Sequence, residues 1–147
     1  SLDDAQLLLA TDASGVFNAA ALPAAGGAPA PLTQSAANAT FAVSYFPADG
    51  RVLVSADNGG DELSHVFLRS EDGALVDLTP GDKVKAAFLD WSDDGKTFWI
   101  TTNERDPQSF DVYAYSVDDL SRKRVFENDG YFVSAITGDG RRLALTK

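Results

Sequence analysis

The chain contains no cysteine, so disulfides, thiolate zinc sites and cysteine nucleophiles are excluded outright, and the redox compartment is left open. It contains no methionine either, hence no initiator residue, and we expect a processed chain or a stretch of something longer. Histidine is nearly absent: His65 alone could serve as the base of a nucleophilic pair, and no serine sits in the Gly-x-Ser-x-Gly setting of a nucleophile elbow. Positive charge is scarce. Twelve Lys and Arg face 22 Asp and Glu, for a formal charge of -10. Such a surface repels phosphate backbones and anionic bilayers, so neither nucleic acid nor membrane is an expected partner. No apolar run approaches the ~18 residues of a spanning helix. The start, Ser1-Leu2-Asp3-Asp4, has neither the basic residues nor the apolar core of a signal peptide, and a soluble chain is expected.

What is present suits one packed domain: 147 residues, 44% hydrophobic and 10% aromatic. The dominant signal is an internal repeat. Asp49-Gly50, Asp94-Gly95 and Asp139-Gly140 recur 45 residues apart, and one further step back reaches Asp4-Ala5. The residues after each turn match: Gln6 to Leu9, Arg51 to Val54, Lys96 to Trp99, Arg141 to Ala144. Tyr45-Phe46, Asp90-Trp91 and Ala135-Ile136 lead into the turns. Each unit therefore reads as strand, Asp-Gly turn, strand, with glycine supplying the positive φ of a tight hairpin.

Two more strands fit each unit. Ser64 to Arg69, the turn Ser70-Glu71-Asp72-Gly73 and Ala74 to Leu78 alternate apolar and polar residues between turn signals. Their counterparts are Phe110 to Tyr115 with Arg124 to Phe126, and Phe17 to Leu22 with Pro31 to Thr33. The Ala-rich stretch from Ala19 to Ala30 is no helix, because Pro23, Gly26, Gly27 and Pro29 interrupt it. Four strands every 45 residues is the blade of a β-propeller. The expected fold is all-β, a partial propeller of about three four-stranded antiparallel blades, with units near 4–48, 49–93 and 94–138 and a last strand in 139–147.

The turns Trp91-Ser92-Asp93-Asp94-Gly95-Lys96 and Phe46-Pro47-Ala48-Asp49-Gly50-Arg51 resemble those of propellers in the prolyl oligopeptidase family and in the Tol-system periplasmic propeller. Thr102-Asn103-Glu104-Arg105-Asp106 leading into Phe110-Asp111-Val112-Tyr113 resembles the middle of the N-terminal propeller of bacterial prolyl oligopeptidases, and Ser55 to Glu62 is similar to the loop one blade earlier. This resemblance implies a non-catalytic propeller portion that restricts peptide access to an α/β-hydrolase domain lying outside these residues. Peptide substrates would then be partners only of the whole protein, and a periplasmic or secreted location would follow. The alternative is a Tol-type scaffold that binds protein partners on its loops. Neither reading calls for a cofactor or a metal.

Within this frame Glu104, Arg105 and Asp106 are the candidate substrate-chamber residues, a charged cluster placed on a long loop between two strands; the plainer reading is a local ion pair and turn before Pro107. His65 reads as a histidine bonded to a neighbour. Asp57, Asp61 and Glu62 read as a solvated acidic loop, their spacing failing the calcium-loop pattern. Trp91, Trp99, Tyr113, Tyr115, Tyr131 and Phe132 are expected in the core between blades. Tyr131 to Ile136 is expected to lack a strand partner and so to complete the blade begun by Gln6 to Thr11 of a second copy, giving a homodimer.

Overall fold

The structure, a computed structural model, describes residues 4–147; Ser1-Leu2-Asp3, read above for a signal core, lies outside them. Two compact units are present, Ser1–Leu78 and Thr79–Lys147. In the first, β1 (Gln6–Thr11), β2 (Asn18–Pro23) and β3 (Ala30–Pro31) form a three-stranded sheet. Next to it in sequence, β4 (Thr40–Tyr45), β5 (Val52–Ala56), β6 (His65–Arg69) and β7 (Leu75–Asp77) form a four-stranded one. In the second unit, β8 (Ala86–Trp91), β9 (Thr97–Asp106), β10 (Ser109–Ser116) and β11 (Arg122–Phe126) form another four-stranded sheet, and β12 (Phe132–Ile136) pairs with β13 (Leu143–Thr146). All pairings are antiparallel between sequence neighbours. The fold is all-β; among the described residues there is no helix, and none long and apolar enough to cross a membrane. Two of the four sheets have four strands. The Ala-rich stretch is the β2–β3 hairpin, turned at Gly26 and Gly27, whose φ of 92° and 135° only glycine adopts readily.

Each unit carries its own core. Ala19, Val52 and Val54 are buried together, with Leu8, Leu32, Tyr45 and Phe67 packed on them. In the second unit Trp99 and Val112 meet Val133 and Ile136. Val133 and Ile136 are an odd three residues apart, so strict alternation would put them on opposite faces. A register shift between Val133 and Ala135 absorbs one residue and returns both to the same side.

The Asp-Gly hairpins differ in an informative way. At Ser92 and Thr137 the residue opening the turn donates its N–H to Thr97 O (2.8 Å) and Arg142 O (2.9 Å), and Gly95 and Gly140 take φ of 66° and 69°. Pro47 occupies the equivalent position in the first unit and has no N–H. The closing bond therefore moves one residue back, to Phe46 N and Arg51 O (2.9 Å). Gly50 is consequently outside the left-handed region, contrary to the expectation for all three turns, and donates its N–H to Glu71 Oε1 (2.9 Å).

Two further expectations are corrected. Tyr131 and Phe132 are 38% and 72% exposed instead of buried, because β12 turns Val133 and Ile136 toward Trp99 and alternation sends Phe132 to the other face. The segment Tyr131 to Ile136 does not lack a mate: β12 pairs with β13 from Phe132↔Thr146 to Ile136↔Leu143, the Asp139-Gly140 turn closing the hairpin within the chain. The reason for pairing it with Gln6 to Thr11 of a second copy thereby falls away.

Candidate functional site

The long strands β9 and β10 meet in a turn of two residues, Pro107 and Gln108, where Asp106 Oδ1 accepts the N–H of Gln108 (2.9 Å). Glu104, Arg105 and Asp106 are therefore not on a long loop. They form the end of β9, since the hydrogen-bonded ladder continues to Ser109↔Asp106. Between that pair and Asp111↔Thr102 the register slips, leaving Asn103, Glu104 and Arg105 opposite Phe110 alone. The slip frees the Arg105 side chain to reach back along β10.

There it meets Asp111, a fully buried carboxylate. Arg105 Nε and Nη2 donate to Asp111 Oδ2 and Oδ1 at 2.7 and 2.8 Å, a bidentate pair. Asn128 N donates to Oδ1 at 2.9 Å and Arg124 Nη1 to Oδ2 at 3.3 Å. Arg105 Nη2 also donates to Asn128 O (2.8 Å). Burial pushes the Asp111 carboxyl up, but the donors from Arg105, Asn128 and Arg124 outweigh it and hold it below the usual carboxylate range. The same pair raises Arg105. Asn128 locks the following turn, its Nδ2 donating to Phe110 O and Tyr131 O at 2.9 and 2.6 Å.

Glu104 points to the other side of the hairpin. Its Oε2 accepts from Arg122 Nη1 (2.8 Å), whose guanidinium lies 4.9 Å from the Tyr113 ring centroid and also donates to Tyr115 Oη (3.2 Å). Burial and the bond to Glu104 raise the Tyr113 hydroxyl above its ordinary value. Of the three candidates, then, Arg105 and Glu104 are engaged in two separate charge clusters and Asp106 in the turn. Sequence reading missed Asp111, Arg122, Arg124 and Asn128. The available signal was the basic run Arg122-Lys123-Arg124 on a strand next to one carrying a lone Asp among apolar residues.

The other candidates are modest. His65 Nδ1 lies 2.7 Å from Asp77 Oδ2, and its ring stacks near Phe67. Asp61 Oδ1 accepts from Asn58 N and Leu63 N, and Asp57 Oδ1 from Gly60 N, so this loop spends carboxylate oxygens on its own backbone. Among the described residues no group of three His, Cys, Asp or Glu side chains is placed to hold a metal ion. A cavity of about 550 Å³ in the first unit is lined by Thr11, Asn18, Pro31 and Thr33. Another, of about 240 Å³ in the second, is lined by Lys85, Phe110, Tyr131 and Phe132. Glu104, Arg105 and Asp106 line neither.

No family model matches the sequence, and no curated protein matches it. Solved structures do. A TolB candidate of Agrobacterium tumefaciens superimposes with a TM-score of 0.67 at 20% identity over 88% of this chain and 46% of that one. TolB of Acinetobacter baumannii gives 0.65 at 20% identity over 97% and 35%. A prolyl endopeptidase, studied for inter-domain dynamics in catalysis and specificity, gives 0.69 at 16% identity over 97% and 23%. This chain spans less than half the length of each. At such identities the likeness is one of fold: the protein is of the β-propeller type.

Proposed function

We propose that this chain is a non-catalytic propeller scaffold and that its finer role is to restrict peptide access in a serine peptidase of the prolyl oligopeptidase type. The observation that carries the reading is the end of the β9–β10 hairpin, where two ion-pair clusters anchor a charged tip on rigid strands. An ordered, charged strand end suits recognition of a polar peptide backbone or side chain. Arg105 and Glu104 fix the tip; the outward groups of Asp106 and Gln108 are what a peptide would meet. The test has two parts. The purified chain should neither cleave chromogenic prolyl substrates nor take up a fluorophosphonate serine probe; stoichiometric labelling would overturn the scaffold reading. In the protein carrying these residues beside a hydrolase domain, Glu104→Gln should change KM for peptides several-fold and leave kcat nearly unchanged.

The second reading is a scaffold that binds a protein partner on its loops, supported by the fold likeness to the two TolB chains. A Gly-x-Ser-x-Gly elbow encoded downstream of these residues favours the first reading, and its absence the second.

A further inference from the structure

Six dipeptides set an acid or amide side chain before glycine: Asp49-Gly50, Asn58-Gly59, Asp72-Gly73, Asp94-Gly95, Asp129-Gly130 and Asp139-Gly140. In each, the unshielded glycine nitrogen can attack the preceding side-chain carbonyl carbon and close a five-membered succinimide. The fold separates them sharply. An aspartate closes the ring only from its neutral form, and the hydroxyls of Ser70, Ser92 and Thr137 hold Asp72, Asp94 and Asp139 below the usual range. Arg51 does the same for Asp49. The glycine nitrogens are also committed: Gly73, Gly95 and Gly140 donate to Ser70 O, Ser92 O and Thr137 O, and Gly50 to Glu71. Asp129-Gly130 has no such bond, but as an acid it must still take up a proton before its carbonyl carbon can be attacked, a step the amide of asparagine does not need.

Asn58-Gly59 escapes every restraint. An amide needs no protonation to react. Asn58 is exposed, its side-chain oxygen accepts only a long bond from Asn38 Nδ2 (3.4 Å), and among the described residues no protein group holds the Gly59 N–H. Gly59 and Gly60 both sit at positive φ, 70° and 84°, with open space around Gly60. The repeat provides an internal control. Asn103, 45 residues on, is buried, accepts the Lys85 N–H with its Oδ1 at 2.6 Å, and is followed by Glu104 instead of glycine.

We propose that Asn58 is a site of spontaneous deamidation. Gly59 N bonds to Asn58 Cγ, the Cγ–Nδ2 bond breaks, and ammonia leaves with the proton from Gly59 N. Water then opens the ring at either carbonyl, giving aspartate or isoaspartate at position 58. The product adds a negative charge beside Asp57, Asp61 and Glu62, in the β5–β6 loop that corresponds to the β9–β10 tip. Isoaspartate also lengthens the backbone there and displaces the 3.3 Å bond from Asn58 N to Asp61.

The experiment is peptide mapping by mass spectrometry of the folded chain aged in mildly alkaline buffer, with isoaspartate read by an isoaspartyl methyltransferase. The peptide bearing Asn58 should convert about tenfold or more faster than any Asp-Gly peptide, one unit of carboxyl pKa being worth a factor of about ten in neutral form. Asn58→Gln should abolish that product with an unchanged circular dichroism spectrum. An intact Asn58, or equal conversion of the Asp-Gly peptides in the folded chain, overturns the proposal.

Discussion

Removing the Asp111 carboxylate strands three donors, the Arg105 and Arg124 guanidiniums and the Asn128 N–H, around a site with no solvent access. Asp111→Ala should therefore cost about 3–5 kcal/mol of stability in urea unfolding, the range for breaking a buried charge pair by removing one partner. The acid limb of the stability curve should change with it. Because the folded-state pKa of Asp111 lies below its unfolded value, its contribution is complete above about pH 4 and is lost as pH falls through the folded value. Asp111→Asn should flatten the curve below about pH 4 relative to the parent protein, and an unaltered slope would show that Asp111 titrates alike in both states. The charged run Asn103 to Asp106 was legible in the sequence, whereas its buried partner was not. Asp111 sits in an alternating strand pattern like any outward polar residue, and only the register slip in β9 brings Arg105 over it.

At the level of the hairpin, a shared Asp-Gly pair does not guarantee a shared backbone. Pro47 removes the donor that Ser92 and Thr137 use, so the first turn closes one residue early and relieves Gly50 of positive φ. Gly95→Ala should cost about 1 kcal/mol in thermal melts, the penalty of a side chain in the left-handed region. Gly50→Ala should cost clearly less, since the added carbon meets only the flexible end of Glu71. Equal losses at the two sites would contradict the difference in closure. The period of 45, the turn positions and nearly every strand were readable, because hairpin turns and period-two alternation are local. The displaced closing bond is written in Pro47 itself, which has no N–H to offer, so Phe46 N closes the turn on Arg51 O.

For the whole molecule, the β12–β13 hairpin matters as cover for Trp99 and Val112. Ending the chain after Asp129 should shift tryptophan emission to longer wavelength and lower the melting temperature; an unshifted spectrum would mean the hairpin does not pack there in solution. The sequence by itself determined an all-β chain of repeated hairpins, lacking thiol chemistry and carrying excess negative charge. Those properties follow from composition and from contacts between near neighbours. Tertiary structure alone decided which face of β12 is buried and which acid meets Arg105. Each depends on a register or a bulge, and a slip of one residue reverses every side chain on a strand without changing the pattern from which the strand is read.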